Sequence, residues 1–275
     1  MTDQHPPGSP RVAAIVVAGG RGTRLGGDTP KQFLEVRGRS LVQRAVDAFV
    51  DSPHVQDVVV VLPGDVAARP QDVLDLPDDV RVVPGGARRQ DSVAAGFEAV
   101  PEACDVVVVH DAARPFVSGD LIARPVSAAR AHGAAIVALP AQDTVKRGVP
   151  DGDSVRIVET IPREVIHLAQ TPQAFRREIL AAAIALGKEG TAATDEAALA
   201  EAAGYPVVLV EGDPHNIKVT TPADLPIAAA IAAMREPLIA SHVPSEGLGA
   251  IRARTAQTQP ALRVGMGYDS HRFGQ

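Results

Sequence analysis

The stretch Ala13-Ala14-Ile15-Val16-Val17-Ala18-Gly19-Gly20-Arg21-Gly22-Thr23-Arg24-Leu25-Gly26-Gly27-Asp28-Thr29-Pro30-Lys31-Gln32 decides the fold. A short apolar run that ends in glycines is how a buried parallel strand runs into a loop at the edge of a sheet. Without a Cβ in the way, the backbone N–H groups of that loop can approach an anion closely. Arg24 and Lys31 bring two cations to the same loop. A glycine loop with fixed cations is a phosphate site.

Two other glycine loops are excluded. The dinucleotide fingerprint needs a third glycine, and counting from Gly20 that place holds Leu25. The P-loop needs Gly-Lys-Ser/Thr, which does not occur here. What remains, Gly-x-Gly-Thr-Arg-Leu followed by Pro-Lys, resembles the signature loop of sugar-nucleotide and related nucleotidyltransferases.

The composition is ample for a large aliphatic core. The chain has 275 residues, 45% of them hydrophobic and only 3% aromatic. The core is therefore Val, Ala, Leu and Ile. Lys plus Arg is 27 against 33 for Asp plus Glu, a net charge of −6, which argues against bulk nucleic-acid binding. Anion sites must be local clusters of Arg and Lys. A lone cysteine, Cys104, allows no intrachain disulfide and fits a reducing, cytoplasmic compartment. No apolar run approaches the ~18 residues of a membrane span. Residues 1–10 are polar and proline-rich and read as a disordered terminus.

Along the chain, strands and helices alternate. Strands are expected at 55–62, 80–83, 105–109 and 134–139. Helices are expected after Ser40, at 72–76 (short), at 92–100 and at 119–132. That order implies an α/β fold, a mostly parallel central sheet with helices on both faces. Ligands in such sheets bind beyond the carboxyl ends of the strands. Those ends carry Gly19-Gly20, Gly85-Gly86 and Asp111, so three loops point to one rim.

Between Gln142 and Ile161 the alternation breaks. Two β-prone runs flank the turn Pro150-Asp151-Gly152-Asp153, a hairpin with little core of its own. It is either an edge extension of the sheet or an arm embracing a second subunit. Beyond it a strand at 170–175, helices at 176–186 and from Thr194-Asp195-Glu196, strands at 207–210 and 216–219, and a last helix to about residue 234 are expected. Residues 237–261, punctuated by Pro237, Pro244, Gly247, Gly249 and Pro260, read as a linker. A new strand opens at 262–275.

Asp111 ends a buried strand, where a carboxylate must be paired or metal-bound. At a phosphate rim Mg²⁺ is the natural partner; the alternative is an ion pair to Arg114 or Arg24. Gly86, Arg88, Arg89, Asp91 and Ser92 form a second loop whose backbone could read a base, although Asp91 or Ser92 alone reads equally as a helix cap. Arg163, Thr171 and Lys218 supply groups suited to a phosphorylated second substrate.

Together these segments resemble the 2-C-methyl-D-erythritol 4-phosphate cytidylyltransferases of non-mevalonate isoprenoid synthesis. The match runs in family order through Gly20-Arg21-Gly22-Thr23-Arg24, Pro30-Lys31-Gln32, Gly85-Gly86, Asp91-Ser92-Val93, His110-Asp111-Ala112-Ala113-Arg114-Pro115, Asp143-Thr144-Val145-Lys146, Thr171-Pro172-Gln173, Thr194-Asp195-Glu196 and Asn216-Ile217-Lys218-Val219-Thr220. It covers residues 11–236 as one cytidylyltransferase domain. The resemblance implies that Arg24 and Lys31 stabilise the α-phosphate transition state and that Asp111 serves Mg²⁺. It implies that Ala18, Gly19, Gly20, Gly86, Ser92 and Ala112 bind CTP. Thr144, Arg163, Thr171 and Lys218 would position methylerythritol phosphate, the hairpin group acting across a homodimer. His215 stands where some members carry an aspartate near the metal, with Asp213 as its substitute.

The tail, Arg263-Val264-Gly265-Met266-Gly267-Tyr268-Asp269-Ser270-His271, resembles the first strand of methylerythritol cyclodiphosphate synthases. Asp269 and His271 match that family's divalent-metal pair. The two enzymes occur fused in some bacteria, and the chain is expected to be such a fusion, cut after its second domain begins and without cyclase activity. Two other readings stand beside this one: another sugar-phosphate nucleotidyltransferase, and a non-catalytic nucleotide-binding module.

Overall fold

The computed structural model describes residues 11–20 and 30–235. Arg24, the tail with Asp269 and His271, the linker and residues 1–10 lie outside the described residues. In chain order the elements are β1 (Arg11–Val17), β2 (Glu35–Val36), β3 (Arg39–Ser40), α1 (Leu41–Val50), β4 (Asp57–Leu62), α2 (Gly64–Ala67), β5 (Arg81–Pro84), α3 (Arg89–Glu98), β6 (Cys104–Asp111), α4 (Gly119–His132) and β7 (Ala134–Pro140). They continue with β8 (Val145–Asp151), β9 (Ser154–Ile161), β10 (His167–Arg176), α5 (Arg177–Lys188), α6 (Glu196–Ala202), β11 (Val208–Glu211) and α7 (Asp224–Arg235).

Seven strands form one sheet in the order β11-β7-β10-β6-β1-β4-β5. All neighbours are parallel except β10, which runs antiparallel to both β6 and β7. The expected mostly parallel sheet with helices on both faces is what the chain forms. The runs are apolar throughout because both faces are covered. Val12, Ala14, Val16, Val58, Val60 and Leu62 pack under α1 and α4. Ala13, Ile15, Val59 and Val61 alternate to the other face, under α3, α5 and α6. Ser40 caps α1, its hydroxyl accepting from the Gln43 amide, as the sequence suggested.

Three expectations are corrected, and one of the two readings left open for the hairpin is removed. The short helix expected at 72–76 is a 3-10 turn, Pro70–Asp72, and the α-helical turn lies earlier, at α2. Helix α3 begins at Arg89, so Asp91 sits inside its first turn and its carboxylate accepts from the Arg88 amide. Ser92 is then free of capping and turns into the rim. Residues 216–219 are no strand: Val219 N–H donates to Ala113 O at 2.8 Å, a single tie between two loops rather than a ladder. β8 and β9 form their own two-stranded sheet, not an extension of the main one.

That hairpin is inserted between β7 and β10. At its base Pro140 and His167 are paired residues of the main sheet, and the Ala141 amide donates to Ile166 O at 2.9 Å. Among the described residues no helix is long and apolar enough to cross a membrane.

Candidate active site

The carboxyl ends of β1, β4, β5 and β6 meet at one rim. Beyond the strands the ladder continues into the loops: Ala18 N–H donates to Val61 O, Gly85 N–H to Leu62 O and Ala112 N–H to Val17 O, at 2.7–3.1 Å. Two glycines let the loops touch. A Cβ on Gly19 would lie 2.9 Å from Ser92 Oγ and 3.2 Å from Gly85 Cα, and one on Gly85 would lie 3.0 Å from Gly19 Cα. A side chain at either position would press on Ser92 Oγ and on the facing glycine Cα, which would have to give by a few tenths of an ångström. Ser92 Oγ fixes the junction by accepting from Gly86 N–H at 3.1 Å and donating to Arg88 O at 3.2 Å.

A pocket of about 290 Å³ opens there, lined among others by Ala18, Gly20, Lys31, Gly86, Ser92, Asp111, Ala112 and Lys218. Gly19 underlies it. Thus the fold assembles these sequence-predicted residues around one cavity. Gln32 carries the Lys31 turn onto the rim: its buried side chain donates from Nε2 to Ala18 O at 3.0 Å and to Gly20 O at 2.8 Å. In the sequence Gln32 stood out only as part of a motif.

Asp111 sits at the floor. Its Oδ2 accepts from Lys218 Nζ at 2.6 Å and its Oδ1 from Arg89 Nε at 2.9 Å. The expected alternative partner, Arg114, donates instead to Asn216 O at 2.8 Å. Burial opposes the charge on Asp111, but Arg89 and Lys218 outweigh it and hold the carboxyl well below its usual range. Arg89 reaches on to Glu196, donating from Nη1 to both carboxylate oxygens at 2.8 and 2.6 Å. Arg89 and Glu196 were legible as motif members, but no sequence signal assigned them to each other.

His110, fully buried, organises the strand end. Its Nε2 lies 3.0 Å from Arg114 O and its Nδ1 3.1 Å from Thr171 Oγ1. A carbonyl can only accept, so Nε2 carries the proton. Burial pushes the ring pKa down to about 4, so the ring is neutral and Nδ1 accepts from the Thr171 hydroxyl. Thr171 Oγ1 in turn accepts from Asp111 N–H at 3.1 Å. The Thr171 side chain therefore anchors Asp111 from behind rather than lining the pocket.

Thr144 and Arg163 lie apart from this cavity, at the root of the β8–β9 arm. Arg163 Nη1 donates to Gln142 O at 2.6 Å. Asp213 and His215 also lie off the pocket: Asp213 Oδ1 accepts from the His215 backbone amide and Oδ2 pairs with Arg235. Among the described residues no group of three or more His, Cys, Asp or Glu could hold a metal. Asp111 still fits Mg²⁺ in its usual phosphate-borne mode, which needs only one or two carboxylates. Each of its oxygens keeps a lone pair beyond its single ion pair.

The family model described as "IspD: 2-C-methyl-D-erythritol 4-phosphate cytidylyltransferase" matches residues 12–234. A curated protein of that name from Frankia casuarinae is 44% identical over 233 residues, 84% of this chain and 85% of its own length. A bifunctional enzyme IspD/IspF from Anaeromyxobacter sp. is 42% identical over 267 residues, covering 96% of this chain but 62% of the relative. The chain thus spans less than two thirds of the length of that bifunctional relative. The crystal structure of 2-C-methyl-D-erythritol 4-phosphate cytidylyltransferase from Thermus thermophilus matches with a TM-score of 0.65 at 39% identity, covering 80% of this chain and 97% of that one. By model, identity and fold, the chain belongs to the 2-C-methyl-D-erythritol 4-phosphate cytidylyltransferase family of nucleotidyltransferases.

Proposed function

We propose that this chain transfers CMP from CTP to 2-C-methyl-D-erythritol 4-phosphate, releasing pyrophosphate. The observation that carries the reading is the pocket itself. Lys218 and Arg89 pair with one carboxylate, and Lys31 lines the same pocket, at a glycine-lined strand rim in a chain of this family. The 4-phosphate oxygen attacks the α-phosphorus of CTP; that P–O bond forms as the α–β anhydride breaks, and pyrophosphate leaves with the electron pair. Positioning and charge neutralisation supply the catalysis. Lys31, with Arg24, offsets negative charge on the α-phosphoryl oxygens. Ala18, Gly19, Gly20, Gly86, Ser92 and Ala112 cradle the nucleotide. Lys218 serves the incoming phosphate, with Thr144 and Arg163 delivered by the arm of a second subunit. Asp111 would hold Mg²⁺, whose charge would neutralise the triphosphate.

The arm is suited to that role. It exposes Val155, Ile157 and Val158, and Val165 and Leu168 are exposed beside its base, an apolar surface that a homodimer would cover. The domain is taken as residues 11–236, with 237–261 a linker and 262–275 the start of a cyclodiphosphate-synthase-like unit whose metal pair would be Asp269 and His271. A cytoplasmic setting suits the one free thiol: Cys104 is buried, and burial beside Asp57 pushes it up to about 12.

Pyrophosphate release with CTP, Mg²⁺ and methylerythritol phosphate tests the proposal. Release should require all three, and ATP, GTP or UTP should substitute poorly. Equal turnover with a sugar 1-phosphate would favour the broader nucleotidyltransferase reading. A trapped nucleotidyl-enzyme would overturn direct displacement.

A further inference from the structure

Glu196 is a fully buried carboxylate at the start of α6, 107 residues from Arg89 in sequence. Buried ion pairs contribute little net stability, because desolvation offsets the attraction. Its position invites another explanation. The Arg89 guanidinium has three nitrogens, and each has a different fate. Nη1 binds both Glu196 oxygens, Nε binds Asp111 Oδ1, and Nη2 is buried with no hydrogen-bond partner. An arginine prefers to grip a carboxylate with two parallel bonds. Without Glu196, Arg89 would be free to turn its Nε–Nη2 edge onto Asp111. Both Asp111 oxygens would then be engaged by one guanidinium, at the expense of Lys218 and of the face toward the pocket. The α6 start holds Glu196 in place: Asp195 accepts from Ala198 N–H at 3.0 Å and from Gln173 Nε2 at 2.8 Å.

We infer that Glu196 is a positioning residue, which by holding Nη1 restrains Arg89 to a single bond with Asp111 and so keeps the second Asp111 oxygen turned to Lys218 and the pocket. The inference rests on the proposed cytidylyl transfer at this pocket. Glu196, Arg89, Asp111 and Lys218 together carry no net charge, and Glu196→Gln unbalances them without changing side-chain size.

The test is Glu196→Gln in the otherwise intact chain, with Glu196→Asp, Arg89→Met and the Arg89→Met/Glu196→Gln double variant. Glu196→Gln should lower kcat about tenfold or more, as loss of a ligand's supporting hydrogen bonds does, while KM for CTP stays within about twofold. Glu196→Asp, which keeps the charge, should recover part of the loss. In the Arg89→Met background, Glu196→Gln should cost nothing further, since its effect runs through Arg89. By NMR the Arg89 Nε–H resonance, identified by its loss in Arg89→Met, should shift in Glu196→Gln. An unshifted resonance, an unchanged kcat per folded molecule, or an equal loss with and without Arg89 would each overturn the inference. Should the wild type fail to transfer CMP, the functional proposal falls, and the resonance alone still decides whether Glu196 restrains Arg89.

Discussion

At the scale of single residues, charge at the rim separates roles that burial alone would blur. Lys31 faces the pocket from the 3-10 turn Lys31–Phe33, pinned by Gln32. If it acts on transition-state charge, Lys31→Ala should lower kcat by roughly 10²–10³ with a smaller effect on CTP binding; steady-state kinetics with varied CTP would distinguish this from simple loss of affinity. His110 makes a stability prediction. Its pKa is depressed from 6.5 to about 4 by burial. The neutral ring's stability is fully present above about pH 6.5 and is lost as pH falls toward 4, at up to about 1.4 kcal/mol per pH unit. Glu196, raised by burial against the opposing pull of Arg89, works in the opposite sense at the acid end, while Asp111, lowered, loses its share only below about pH 4. Urea midpoints at pH 7 and pH 5 should therefore fall apart more in the wild type than in His110→Asn, which cannot titrate. Equal differences would show that the ring is not the group responsible.

At the scale of elements, the Gly19–Gly85 contact sets how closely two strand ends approach. Gly85→Ala places a methyl 2.9 Å from Ser92 Oγ and 3.0 Å from Gly19 Cα. Overpacking of this kind costs about 1–3 kcal/mol, and spreading the rim should raise KM for CTP more than it lowers kcat. Melting curves together with CTP titrations check both halves. This contact also marks what was legible beforehand. The glycines after β1 and β5 announced a shared rim, and the apolar run closed by Asp111 announced a carboxylate there. Its ion partners were hidden, because Arg89 is 22 residues away and Lys218 107 residues away, and only folding makes them neighbours. Strand direction was hidden too: β10, His167–Arg176, carries nothing in its residues that tells a parallel from an antiparallel neighbour. Ile217 and Val219 alternate as a strand would, but Val219 instead joins the small apolar cluster beneath α7.

At the scale of the whole molecule, the arm decides whether a site is complete in one chain. Thr144 and Arg163 stand away from the pocket of their own chain, at the root of an arm that exposes Val155 and Ile157 farther out. In a two-fold dimer with shared sites, Arg163→Ala and Lys31→Ala chains should each be nearly inactive alone. Mixed and allowed to exchange, they should regain up to about a quarter of wild-type activity, since half the dimers are mixed and each has one intact site. Verified exchange without recovery would place Arg163 in the service of its own subunit.

The pairing of Pro140 with His167 has a consequence for modularity. Because the two ends of the insertion already lie side by side in the ladder, the sheet is continuous beneath it and does not need it for closure. Replacing residues 142–165 with Asn-Gly would join Ala141 to Ile166 through a tight hairpin turn, and shortening the loop lowers its closure entropy. Such a spliced chain should melt cooperatively and keep its seven-stranded sheet by circular dichroism, yet lose transfer activity by at least about 10², as expected when substrate-positioning groups are removed. The nucleotide pocket with Lys218 and the arm's share of acceptor positioning would then be separable pieces of one chain, grafted together at a single splice point.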